Sequence, residues 1–166
     1  MSLAALENYL LSQGREWERY AWIKGKALTG NAEALAAEVR PFVYRKYLDF
    51  NAYGAMRELY AQIQREVARR ELIDNIKLGA GGIREVEFIA QVFQLIRGGR
   101  EKRLQLRSTR HALTLLAEMK LLEEDTVSEL QAAYAFLRDV EHRLQYLDDQ
   151  QTQTLPTGEE SRARIA

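Results

Sequence analysis

The chain has 166 residues, 46% hydrophobic and 29% charged, enough for one domain with a real core. Lys plus Arg equals Asp plus Glu at 24 each, so no net charge draws it to nucleic acid or an anionic membrane, and local patches must carry any such claim. The absence of cysteine excludes disulfides and thiolate metal sites and permits a reducing cytosol, and no apolar run nears the ~20 residues that span a bilayer.

In chain order, the spacing predicts a short amphipathic helix over Leu3 to Gln13, stopped at Gly14, and a second over Arg15 to Leu28, ending at Thr29-Gly30-Asn31. Trp17, Tyr20, Ala21, Lys24 and Leu28 fall near one face of the second helix, and Trp17 and Trp22 read as core aromatics on different sides. Asn31 can cap a helix from Ala32 to Glu38. Arg40-Pro41 then interrupts it, and Pro41 suits the first turn of a helix through Tyr47, with Phe42, Tyr44, Tyr47 and Phe50 adding bulk to the core. Asn51 is the expected N-cap of a helix of about twenty residues to Arg70, with Ala52, Met56, Leu59, Ile63 and Val67 as its single apolar seam. Ile73 to Leu78 reads as a short irregular link.

Asn75 to Gln94, NIKLGAGGIREVEFIAQVFQ, is the one stretch where glycine loop chemistry runs directly into a strongly patterned helix. Gly79, Gly81 and Gly82 permit positive φ or close approach just before Ile83, so the first N–H groups of the helix can hold a phosphate or carboxylate. Taken alone, the three glycines are better read as a tight turn with close packing. G-x-G-G is neither the dinucleotide fingerprint nor a Walker A loop. Ile83, Val86, Ile89, Ala90, Val92, Phe93, Leu95 and Ile96 cover well over half the helix, while Arg84, Glu87, Gln91 and Gln94 gather in one polar arc. Glu85 projects into the apolar arc and requires a cation or donor if buried. Arg84 and Glu87 either pair with each other or a neighbouring helix, or, with Lys77, line a cleft for a charged ligand.

Arg97, Arg100, Lys102, Arg103, Arg107 and Arg110 then place six cations in fourteen residues. This patch suits an acidic protein surface, a nucleotide phosphate or plain solvation, and it lacks the interleaved aromatics of RNA binders. Ser108 can cap a helix from Thr109 to Met119, with His111 in its first turn. Glu123, Glu124 and Asp125 favour the start of a helix carrying Val127, Leu130, Tyr134, Leu137, Leu144 and Leu147. His142 has no second histidine nearby, so no metal site and no catalytic residue is assigned. Thr157 with Glu160 resembles a capping box opening one more helix. No strand alternation is sustained. The expected fold is an all-α bundle of about seven or eight helices, with a glycine-rich loop before a largely buried helix.

Four segments carry a resemblance. KLGAGGIREVEFIAQVFQLIRGGR (Lys77 to Arg100), REWERYAWIKGKAL (Arg15 to Leu28), RPFVYRKYLDF (Arg40 to Phe50) and DDQQTQTLP (Asp148 to Pro156) resemble, in the same order, bacterial glutamine synthetase adenylyltransferases. GAGGIREVEF with the following QLIRGGR looks like the adenylyl-removing half, in the helical domain after the nucleotidyltransferase core. A related uridylyltransferase regulator shares a similar helical domain and is the distant alternative.

The resemblance implies a cytoplasmic, multidomain enzyme of nitrogen regulation. It would remove AMP from a glutamine synthetase tyrosine by phosphorolysis, yielding ADP, under control of the PII signalling protein and with Mg2+ and ATP or ADP as cofactors. In the family, metal-holding carboxylates sit in a Gly-Ser loop with an Asp-x-Asp pair. Neither occurs here, and Asp148 and Asp149 are adjacent. The chain is thus expected to be an excised helical domain, inactive and holding no cofactor alone. On this reading Lys77, Gly79, Gly81, Gly82, Arg84, Glu87 and Gln91 face nucleotide or phosphate in the intact enzyme. Lys77 and Arg84 would neutralise phosphate, Gly81 and Gly82 allow approach, and Glu87 position a cation or partner arginine. The competing expectation is a module that docks PII or glutamine synthetase through Arg97, Arg100, Arg103 and Arg107, or a plain scaffold.

Overall fold

Among the described residues the regular elements are seven α-helices and one 3-10 turn: α1 (Leu3–Ser12), α2 (Glu16–Lys24), α3 (Ala32–Val43), α4 (Phe50–Arg69), α5 (Ile83–Arg97), the turn (Lys102–Leu104), α6 (Thr109–Glu118) and α7 (Glu124–Asp148). The computed structural model describes residues 2–45, 50–69, 72, 74–148, 152–158 and 162–163, and among these there is no strand, only one isolated bridge. The all-α expectation holds. The expectations placed on Tyr47, Phe50, Asn51, Ala52, Met56, Leu59, Ile63, Arg70, Ile73, Leu147, Asp148, Asp149 and Glu160 lie outside the described residues or side chains. No described helix is long and apolar enough to cross a membrane.

Two compact units result, the first from Met1–Tyr60 with Ala90–Leu116, the second from Ala61–Ile89 with Ala117–Ala166, so that α4 and α5 contribute to both. In the first, α1 and α2 each pack on α3. Leu6, Leu10, Ile23, Val39, Phe42, Val43 and Leu95 form its core, each large apolar side chain contributing roughly 1.5–3 kcal/mol by burial. Ser2 opens α1, its hydroxyl accepting the Ala5 N–H at 3.2 Å.

The structure corrects the reading of α2 and α3. Helix α2 stops at Gly25, whose backbone leaves the helical region at ψ 141°, and not at Leu28. Its buried face carries Glu18, Arg19 and Ile23. Trp17 is 53% exposed and Leu28 87% exposed, so neither belongs to the core, while Trp22 packs against it. The cause is polar. Glu18 accepts the Arg15 N–H at 2.8 Å and the Tyr9 hydroxyl at 2.8 Å, which draws it inward. Arg19 donates to the carbonyls of Phe42 (2.8 Å) and Val43 (3.2 Å) and to Glu16 (2.8 Å), so a buried guanidinium closes the open end of α3. Burial lowers the pKa of Arg19, and its bonds to Glu16 oppose that shift. Pro41 lies inside α3 instead of starting a new helix. It forfeits one backbone donor. The helix persists past it because Val39, Phe42 and Val43 are all buried and Arg19 satisfies the last carbonyls.

In the second unit, Ile76 and Leu144 are buried with Leu137, Val140 and Leu155 packed on them. The segment before the glycine loop pairs with the DDQQTQTLP segment. Asn75 and Thr154 form the antiparallel bridge, the Ile76 N–H donates to the Gln153 carbonyl at 2.9 Å, and the Leu155 N–H to that of Asp74 at 2.9 Å. The DDQQTQTLP segment thus anchors the strip of chain that leads into the glycine loop.

Candidate functional site

The glycine loop is closed by its own backbone. Asn75 Oδ1 accepts the N–H groups of Lys77 (3.1 Å) and Leu78 (2.8 Å), and the Asn75 carbonyl accepts that of Gly79 (2.7 Å). Gly82 N–H donates to the Gly79 carbonyl, Ile83 N–H to Ile76 and Arg84 N–H to Lys77, each at 3.0 Å. Gly81 N–H is taken by the Glu85 carboxylate at 2.9 Å, and Glu85 also accepts from Gln64 Nε2 at 2.7 Å. The amides that the sequence offers to an anion therefore already have internal acceptors. Glu85 finds the donors its position demands.

Gly81 and Gly82 serve different ends. Gly81 has φ +72° and open space where a Cβ would stand. At Gly82 a Cβ would meet the Ile76, Gly79 and Lys77 carbonyls at 2.7–3.0 Å, so close backbone approach requires glycine there.

The polar face of α5 is split. Arg84 is exposed and pairs with no described residue. Glu87 accepts the Tyr134 hydroxyl at 3.0 Å and meets Arg138 Nη2 at 3.7 Å, so it pairs with the neighbouring helix α7. Gln91 and Gln94 are buried in the first unit, not solvated. Gln94 Nε2 bridges the Leu104 (2.8 Å) and Leu106 (2.7 Å) carbonyls. Gln91 is 3% exposed, and its Oε1 is buried without a hydrogen-bond partner.

Around Lys77 and Glu87 the second unit assembles a charge network that sequence reasoning missed. Glu141, only 3% exposed, meets Arg138 Nη1 at 2.5 Å, Lys77 Nζ at 3.5 Å and Gln153 Nε2 at 3.4 Å. Burial pulls the pKa of Arg138 down, but hydrogen bonds to Glu141 and the Tyr134 hydroxyl outweigh it and leave the pKa raised. Lys77, Glu87, Tyr134, Arg138, Glu141 and Gln153 thus form one group in which two carboxylates alternate with two cations. Carboxylates already compensated in this way do not fit Mg2+, which takes oxygen ligands free of such competition. Among the described residues no group of three or more His, Asp or Glu is arranged to hold a metal ion.

In the first unit Arg97, Arg100, Arg103 and Arg107 are all exposed. Leu104 is fully buried beneath them, Arg103 meets Glu101 at 3.3 Å, and Lys24 Nζ holds the Arg107 carbonyl at 2.8 Å and the Thr109 hydroxyl at 2.6 Å. The arginines ride on a segment fixed from below.

Two family models match this chain: the GlnD PII-uridylyltransferase model over residues 57–166 and the glutamate-ammonia ligase adenylyltransferase model over residues 1–41. Among curated relatives, the bifunctional glutamine synthetase adenylyltransferase/adenylyl-removing enzyme of Chromobacterium violaceum is 75% identical across 100% of this chain and 19% of its own length. Enzymes of the same name from Neisseria meningitidis serogroup A and Nitrosomonas europaea are each 60% identical across 100% of this chain and 18% of their own length. The chain spans about a fifth of the length of these relatives. It belongs to the GlnD PII-uridylyltransferase family over residues 57–166, and as a whole to the family of bifunctional glutamine synthetase adenylyltransferase/adenylyl-removing enzymes.

Proposed function

We propose that this chain is the helical domain following the nucleotidyltransferase core in the adenylyl-removing half of a longer, cytoplasmic enzyme of nitrogen regulation. There it helps form the site at which phosphate releases AMP from a glutamine synthetase tyrosine as ADP, under PII control. The supporting observation is the placement of Lys77 and Arg84. Their backbones touch through the 3.0 Å bond from the Arg84 N–H to the Lys77 carbonyl, on a loop braced by Asn75 and by the Glu141 network.

Because the loop amides have internal acceptors, an incoming phosphate is met by side chains, the Lys77 ammonium and the Arg84 guanidinium. Gly81 leaves space for its approach, Gly79 and Gly82 keep the turn tight, and Glu87 orients Arg138. Catalytic carboxylates, Mg2+ and nucleotide belong to other parts of the longer enzyme, so this chain alone is inactive.

Arg84→Ala in the longer enzyme tests the reading. Arg84 is exposed, so thermal unfolding should move by no more than about 0.5 kcal/mol in stability. Phosphorolytic AMP release should fall about tenfold or more, the scale of one charge-assisted contact. An unchanged rate with an unchanged fold removes Arg84 from the site. A second reading, docking of PII or glutamine synthetase, is favoured by the common exposure of Arg97, Arg100, Arg103 and Arg107 on their braced segment.

A further inference from the structure

Away from the Glu141 network, and wholly within the first unit, α2, α3 and the stretch after the 3-10 turn enclose a cleft of about 540 Å³. That volume is in the range of roughly 300–1,000 Å³ typical of small-molecule sites. Its wall is largely apolar and includes Trp22, Leu35 and Tyr44. Its charged residues are Lys26, Arg40 and Arg107, and no Asp or Glu lines it. All three cations are exposed, and none makes a side-chain hydrogen bond or ion pair among the described residues. Three uncompensated positive charges around an apolar hollow concentrate a positive potential where an apolar body can also be buried.

We propose that this cleft binds a planar organic anion, an aromatic or heteroaromatic ring bearing a carboxylate, sulfonate or phosphate. The ring lies against Trp22, Leu35 and Tyr44, and the charge sits among Lys26, Arg40 and Arg107. Burial pushes the Tyr44 phenol up to about 12, with Arg40 opposing the shift, so Tyr44 stays neutral and adds no competing negative charge at ordinary pH.

A fluorescence titration of the chain with 8-anilinonaphthalene-1-sulfonate, beside its neutral relative N-phenyl-1-naphthylamine, tests this. The sulfonate should bind saturably at one site. The combined substitution Lys26→Gln, Arg40→Gln, Arg107→Gln should weaken the sulfonate about tenfold or more and leave the neutral probe within about twofold, because only the charged contacts are removed. Arg107→Gln alone, at an exposed position outside any helix, gives the same reading at smaller amplitude if the combined variant does not fold. Competition with AMP and with 1-naphthoate separates a nucleotide from an aromatic carboxylate as the natural class, and displacement by either supports the proposal. Sulfonate binding that survives the charge substitutions, or that neither competitor displaces, overturns it.

Discussion

Glu141 stands where the seam of α7, stepping through Val127, Leu130, Tyr134, Leu137 and Leu144, calls for an apolar side chain. The spacing of those residues was legible, and so was the carboxylate on the one step left out. Its partners were not, because Lys77 and Gln153 reach it only through the fold. Glu141→Ala leaves Arg138 and Lys77 facing a hole, and since both cations are over a third exposed, water recovers part of the loss. A destabilisation of about 1–3 kcal/mol is expected in urea unfolding. The cycle with Arg138→Ala should show a coupling of about 1 kcal/mol or more, and strict additivity would mean that the pair is not formed in solution. Tyr44 gives the pH counterpart. Its folded pKa, about 12, lies above the ordinary 10.0, so the folded state keeps a proton that the unfolded state gives up first. Its contribution is complete below about pH 10 and is lost as pH rises through about 12. Tyr44→Phe should therefore unfold with a shallower pH dependence between those values, measured by urea titration at each pH.

At the scale of elements, the glycine loop shows what pattern can and cannot supply. Three glycines before a periodic run announced a turn into a helix, and α5 begins at the expected Ile83. Nothing in the pattern said where the loop amides would point, because their acceptors are carbonyls whose positions depend on the whole turn. Gly81 and Gly82 were equivalent in sequence and are opposite in structure. Gly81→Ala meets empty space and pays only for φ +72°, about 1 kcal/mol. Gly82→Ala forces three carbonyls apart and should cost distinctly more, about 2 kcal/mol or beyond. Thermal unfolding of the two variants side by side decides, and equal losses would mean that the loop rearranges. Proline at position 41 and tryptophan at position 17 misled for a related reason. Local propensity favoured a break and a buried ring, whereas the Arg19 contacts with the end of α3 made the continuous helix and an outward Trp17 the better solution.

Across the whole molecule, charge is balanced overall but not locally. The second unit holds Lys77, Glu87, Arg138 and the buried Glu141 in a network of alternating sign, whereas the first displays Arg97, Arg100, Arg103 and Arg107 to solvent. That contrast bears on the two functional readings, because a network of alternating sign braces a loop while displayed charge of one sign meets a partner. The substitutions Arg100→Glu and Arg103→Glu reverse the displayed patch without touching Lys77 or Arg84. Position 103 would then face Glu101, so a small stability loss of a few tenths of a kcal/mol accompanies the change. In the longer enzyme, AMP release without regulator should stay within about twofold of the parent, and its response to PII should persist if the patch is merely solvated. Intact basal release with a lost PII response would instead assign the patch to docking, and the reduced association should then deepen at low ionic strength, where long-range attraction is least screened. Loss of basal release itself would assign the patch to docking glutamine synthetase, the protein from which AMP is released, since neither reading places Arg100 or Arg103 against nucleotide.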